Sequence, residues 1–318
     1  MKKILEELRP ADKIAISGHV RPDGDCVGSC MGLWLYLKKA LPEAQVDVYL
    51  EKPADIFSCI AGIENVKTDC SADLTYDVFI AVDTVASRMG DSEKYFNCAQ
   101  RTINIDHHVS NANGCADVNY INPQASSASE LVYELLDEAM IDEHIAKAIY
   151  IGMVHDTGVF QYSNTTPHTL EVAAKLIAYG FDFSRLIDET FYEKTYVQNQ
   201  ILGRALLESI VFMDGKCIFS AIDKKTMDFY NVVPKDLDGI VSQLRITRGV
   251  ECAIFMYQTG HQEYKVSLRS NGKVDVARVA SSFGGGGHVR AAGCTLQGTY
   301  HDCINNLSGY IEEQLKGK

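Results

Sequence analysis

The segment GHVRPDGDCVGSC (18–30) gathers His19, Asp23 and Asp25 within seven positions, among glycines. Two carboxylates spaced i, i+2 beside an imidazole repel each other unless a cation sits between them. Metal binding is the simplest chemistry for such a cluster. Asp83, Asp106, His107, His108 and Asp156 extend the set. Carboxylate and imidazole donors without a thiolate suit Mn²⁺, Mg²⁺ or Fe²⁺ better than structural zinc. Two ions ~3.5–4 Å apart need a bridging carboxylate and a few ligands each. This inventory can supply that, with Asp83 able to bridge. Asp23 and Asp25, if extended, project to the same side and can serve neighbouring ions. Successive residues at a strand end point opposite ways. His107 and His108 are therefore expected to differ, one binding an ion while the other faces substrate. Asp106 is a natural partner to orient an imidazole. Taken singly, each Asp or His reads as a cap, a turn residue or a solvated charge. Their joint placement points to a site.

The elements that must position these residues are legible as periodicities. KIAISG (13–18), QVDVYLE (45–51), DVFIAVD (77–83) and RTINIDH (101–107) read as strands. DCVGSCMGLWLYLKKAL (25–41), ASSASELVYELLDEAM (125–140) and EHIAKAIYIGMVHD (143–156) read as helices. Alternation of strand and helix predicts an α/β layered domain with a mainly parallel sheet. Such sheets place ligands beyond the carboxyl ends of their strands, where His19, Asp83 and Asp106–His108 fall. A helix follows Thr166 and Pro167, and residues 181–210 read as a long, charged connecting helix. Beyond about 213, three strands (216–222, 251–258, 263–270) and two helices (274–283, 301–316) suggest a second, smaller α/β domain.

The motifs GHVRPDGDCVGS, AVDT, IDHH and HDTGVF occur in the order of the DHH phosphoesterase superfamily, and the chain resembles that family. DVARVASSFGGGGHVRAAG (275–293) resembles the glycine-rich signature of the DHHA1 domain. The resemblance covers nearly the whole chain and is strongest to stand-alone oligoribonuclease and pAp phosphatase enzymes. It implies a DHH catalytic, metal-binding domain over 1–185, a helical linker over 186–212 and a DHHA1 substrate-binding domain over 213–318. It further implies that His19, Asp23 and Asp83 hold one ion, usually Mn²⁺. Asp25, Asp83, His107 and Asp156 hold the other, and His108, with Asp106 behind it, contacts the scissile phosphate. His155 departs from the family, where a hydroxyl residue often precedes the aspartate, and is expected to point away from the ions. Arg269 matches a position that reads substrate phosphate. Arg88 either buttresses the metal loop or reaches phosphate.

GGGGHVR (284–290) has its own physics: glycines let backbone N–H groups converge on an anion. Gly285, Gly286 and Gly287 are expected to form such a nest, with His288 and Arg290 adding charge-assisted contacts. The plain alternative is a flexible turn ending a helix.

The chain of 318 residues carries a net charge of −12, which disfavours a stable complex with long nucleic acid. Short RNA or nucleotide substrates remain compatible, as does a homodimer. No apolar run reaches membrane-spanning length. MKKILEELRPADK lacks the apolar stretch of a signal peptide and reads as a short amphipathic helix. Ten scattered cysteines without a CxxC pair read as reduced, mostly buried thiols in the cytoplasm. Cys26 and Cys30, four apart, suit a helix. The expected activity is two-metal hydrolysis of short oligoribonucleotides and of 3'-phosphoadenosine 5'-phosphate (pAp). The alternatives are a cyclic-dinucleotide or pApA phosphodiesterase and a non-catalytic nucleic-acid-binding module.

Overall fold

The computed structural model describes residues 4–8 and 11–316. Ile4–Glu7 is helical; the remainder of the expected N-terminal helix falls partly on residues 1–3 and 9–10, outside the described ones. The chain divides into two compact units, the first ending at Glu193 and the second beginning at Lys194. No helix among the described residues is long and apolar enough to cross a membrane.

The first unit is built on β1 (Lys13–Ser17), β2 (Gln45–Tyr49), β3 (Val78–Val82), β4 (Arg101–Asp106) and β5 (Val118–Ile121). They form one parallel sheet in the order β2-β1-β3-β4-β5. Period-2 alternation divides β3 between two cores: Val78, Ile80 and Val82 face one cluster, Phe79 and Ala81 the other. Covered on both faces, the strand is apolar throughout. The α/β expectation for this half is borne out. β5 was not anticipated; it is a half-exposed edge strand without strong alternation.

Helices Gly24–Ala40, Ala128–Leu135 and Glu143–Asp156 pack on one face. Asp23, Ser127 and Asp142 cap them, each side chain accepting backbone N–H groups of its first turn. The middle helix is shorter than the span 125–140, because Ser127 starts it and Leu136 turns to extended backbone. Glycines bring two of these helices into backbone contact. A Cβ on Gly28 would lie 2.6 Å from the Ala148 carbonyl oxygen and 2.7 Å from the Gly152 nitrogen.

Residues 181–210 are not one helix. Phe183–Ile187 passes into a π-turn over Asp188–Tyr192, Glu193 is extended, and Thr195 starts a new helix over Tyr196–Leu207. The cause is local: Thr195 and Gln198 form a reciprocal capping box.

The second unit carries β6 (Ile210–Phe212), β7 (Cys217–Ile222), β8 (Cys252–Gly260), β9 (Glu263–Ser270), β10 (Gly286–His288) and β11 (Ala291–Gln297). Their order is β10-β11-β9-β8-β7-β6, with β7 and β8 parallel and the other pairs antiparallel. Cys252, Ile254 and Met256 face one core and Ala253 and Phe255 the other. The helices Val276–Ser281 and Tyr300–Leu315 pack on the first of these cores.

Candidate metal centre

Three strand ends converge where the strand order reverses, between β1 and β3. β1 delivers His19, β3 delivers Asp83, and β4 delivers Asp106, His107 and His108. Asp83 sits in the left-handed region at φ 57°, which aspartate tolerates better than most residues. Its N–H donates to the Ile105 carbonyl at 2.8 Å.

Asp83 is 2 % exposed and faces two ways. Its Oδ2 lies 3.5 Å from His19 Nε2, while Oδ1 lies 3.6 Å from His107 Nε2. Around His19, Asp23 Oδ1 stands at 3.7 Å. Around His107 Nε2, Asp156 Oδ2 stands at 3.5 Å and Asp25 Oδ2 at 3.9 Å. The six residues expected to hold metal therefore fall into two groups that share Asp83. The reason is not extended geometry at 23 and 25. Asp23 is an extended N-cap, whereas Asp25 lies in the first helical turn and is buried. Its two oxygens accept the N–H groups of Ala128 and Ser129 at 2.6 and 2.9 Å.

His107 and His108 do not diverge as the strand-end argument expects. Their ring centroids are 4.7 Å apart, and His108 Nδ1 comes within 3.5 Å of Asp83 Oδ1. Both lie just past the end of β4, where strand alternation no longer applies. What separates them is Asp106. Its Oδ1 accepts from His108 Nδ1 at 2.7 Å and from the backbone N–H of His107 at 2.8 Å.

Electrostatics describe a centre short of positive charge. Burial, then the charge of Asp25, pushes the Asp83 carboxyl up to about 8. Burial, then Asp25 and Asp83, does the same to Asp156, also to about 8. Burial likewise raises Asp25, opposed by His107. His19 moves up because Asp23 and Asp83 outweigh the effect of its burial. The hydrogen bond to Asp106 lifts His108 to about 9 against burial. Asp83 Oδ1 is buried without a hydrogen-bond partner. Crowded carboxylates, an orphaned oxygen and a donor set around Asp83 made mainly of carboxylate and imidazole fit hard divalent cations.

His155 points away from this cluster, as expected. It packs edge-on to Phe57 and Phe191, at 5.2 and 5.4 Å between centroids, and burial holds it down to about 4. The Arg88 side chain is exposed, and its carbonyl accepts the Val20 N–H at 2.8 Å, tying down the His19 loop.

Two residues escaped the sequence reading. Asn104 Nδ2 donates to the carbonyls of Ala81 and Thr84 at 3.2 and 2.9 Å, bracing the turn that carries Asp83. Asn111 Nδ2 donates to Asp106 Oδ2 at 2.6 Å and to Asn104 Oδ1 at 2.8 Å.

In the second unit, Gly286–His288 is an edge strand, not a convergent nest. Gly285 and Gly287 are needed for close approach: a Cβ on either would strike the carbonyl of Gly293 or Ala291, respectively. Arg269 pairs in register with Ala291, which pairs with His288. Residues in register share a sheet face, so Arg269 and His288 flank one alanine, about 10 Å apart across two strand spacings. Arg290 is exposed, with its carbonyl accepting the Ser270 N–H at 3.0 Å.

Comparison with known proteins agrees with this arrangement. Residues 13–153 match the DHH family, N-terminal domain, and residues 214–317 match the DHHA1 domain. The chain is 30% identical over 304 residues to the bifunctional oligoribonuclease and PAP phosphatase NrnA of Thermus thermophilus, covering 94% of this chain and 89% of that one. The chain belongs to the DHH family. It is a metal-dependent phosphoesterase, a hydrolase acting on phosphate ester bonds. This DHH–DHHA1 protein is also 29% identical to the Bacillus subtilis NrnA over 301 residues, covering 92% of each chain. Its fold matches that of an exopolyphosphatase-related protein from Bacteroides fragilis, with a TM-score of 0.86 and 25% identity, covering 97% of this chain and 94% of that one.

Proposed function

We propose that the protein hydrolyses short oligoribonucleotides and pAp with two divalent ions, Mn²⁺ in the first instance. His19, Asp23 and Asp83 hold one ion; Asp25, Asp83, His107 and Asp156 hold the other. The observation that carries this reading is the split of the Asp83 oxygens, one toward His19 and one toward His107. The ions supply Lewis acidity and an acidified water at neutral pH. The protein supplies the rest. Asp106 holds His108 through Nδ1 and keeps it protonated, which leaves Nε2 to donate to a phosphoryl or leaving oxygen.

The second unit acts as the substrate-binding domain. Arg269 and His288 hold the phosphate that is not being cut, with Gly286, whose missing Cβ faces open space, admitting it closely and Arg290 adding positive charge. The names borne by the Thermus and Bacillus relatives support this choice of substrates. Parallel rate measurements with Mn²⁺ on pAp, pApA and RNA from dinucleotide to 24-mer test it. RNA of two to about five nucleotides and pAp should be cleaved much faster than the 24-mer, since the acidic protein gains little from added phosphates. Equal kcat/KM on dinucleotide and 24-mer would overturn the short-substrate reading. Turnover of pApA alone would move the assignment to a dinucleotide phosphodiesterase.

A further inference from the structure

The metal centre contains a donor of a different kind. Cys26, fully buried, is the third residue of the Gly24–Ala40 helix. One ligating atom each from His19, Cys26 and Asp83 lies within 4.8 Å of the other two. The sulfur is held in place from several sides. The Cys26 backbone N–H donates to Asp23 Oδ1 at 3.1 Å, and Sγ lies 4.0 Å from the His19 carbonyl oxygen. Gly18 makes the room, since a Cβ there would collide with that sulfur. Asp83, almost wholly buried, turns its Oδ2 to within 3.5 Å of His19 Nε2, so the three donors face one place. Cys30, one helical turn further on, does not belong to the group.

We infer that Cys26 is a conditional ligand at the His19 position: a spectator thiol beside a hard ion, and a thiolate donor to a soft ion such as Cd²⁺ or Zn²⁺. The inference rests on the reading of His19 and Asp83 as metal ligands. Carboxylate and imidazole donors satisfy Mn²⁺, which gains little from sulfur, whereas soft ions prefer thiolate. Capture of a soft ion forms one sulfur–metal bond, breaks the S–H bond and releases that proton to the buffer. Soft ions thereby compete with the working ion at this position and block turnover.

The test uses the full-length, metal-stripped protein titrated with Cd²⁺ alone, following the thiolate-to-cadmium charge-transfer band in the ultraviolet. The wild type should develop the band. Cys26→Ser and Cys26→Ala should lose it, while Cys252→Ala, a buried thiol in the second unit, keeps it. Cd²⁺ affinity relative to Mn²⁺ should fall at least about tenfold in both Cys26 variants. Mn²⁺ uptake, read by electron paramagnetic resonance, should stay at the wild-type level and doubles as the check of folding. A band that survives in both Cys26 variants, or a wild type that takes up Mn²⁺ and shows no band with Cd²⁺, overturns the inference. A wild type that takes up neither ion overturns the metal assignment beneath it.

Discussion

Asn104 and Asn111 meet amide to amide, Asn111 Nδ2 donating to Asn104 Oδ1 at 2.8 Å with both side chains buried. This contact joins the turn that carries Asp83 to the carboxylate that holds His108. Asn111→Ala strands Asn104 Oδ1 and frees one oxygen of Asp106. The expected cost is about 1–3 kcal/mol in urea unfolding and roughly 10- to 100-fold in metal affinity or kcat. An unchanged kcat would show that the two sides are braced separately.

Asp83→Asn retains the size of the side chain and removes its charge. It should lower kcat/KM by more than the roughly 100-fold that supporting residues cost and reduce bound metal, while circular dichroism stays native. Full metal content with near-normal turnover would remove Asp83 from the centre.

The adjacent histidines should separate by assay. His107→Ala is expected to lower metal occupancy. His108→Ala should lower kcat by about 10²- to 10⁴-fold with metal retained, the range for a positioned proton donor. Equal metal loss in both variants would sink the distinction, and their shared proximity to Asp83 makes this a demanding comparison.

The metal-free protein should lose stability as pH rises from 6.5 to about 9. Asp83 and Asp156, each raised to about 8 by burial, keep protons in the folded state that the unfolded chain has already released. His108, raised to about 9 by Asp106, acts in the same direction above its ordinary value of 6.5. The folded state therefore binds more protons across this window, so unfolding becomes easier as pH rises. Thermal melts with EDTA should show this decline, and melts with excess Mn²⁺ a shallower one. A decline of equal slope with and without the ion would separate metal binding from these carboxylates.

On the proposed assignment of Arg269 and His288 to the uncut phosphate, Arg269→Ala and His288→Ala should raise KM by about 10-fold or more with metal content unchanged. A fall in kcat with KM constant would place them in the chemical step instead.

The parts of the site nearest to apolar strands were the most legible. Ile14, Ile16, Ile80 and Val82 announce β1 and β3, and the candidate ligands His19 and Asp83 follow at their ends. The DHH and DHHA1 resemblance was carried by ordered motifs and is borne out. Asn104 was hidden in plain alternation. In RTINID it occupies the position opposite Ile103 and Ile105, and a sheet covered on both faces buries it there. A polar side chain at such a position must find partners inside, which is the signal that could have exposed it. The break before Tyr196 was also written locally, as Thr195 followed by Gln198. The strand formed by Gly286–His288 was not, because glycine carries no periodicity; its pairing partner is β11, across the turn at 289–290.

The contact of Gly28 with Ala148 and Gly152 makes the spacing of Asp25 and Asp156 a property of two backbones. In most helix pairs a layer of side chains lies between the axes and serves as the compliant part of the joint. Here that layer is missing, and a Cβ on Gly152 would itself come within 2.9 Å of Asp25 Oδ1. Close-packed backbone has little volume to give up under pressure and few rotamers through which to yield on warming. The carboxylates are thus mounted on a joint with almost no play, and any change in their separation must come from their own side chains rather than from the helices.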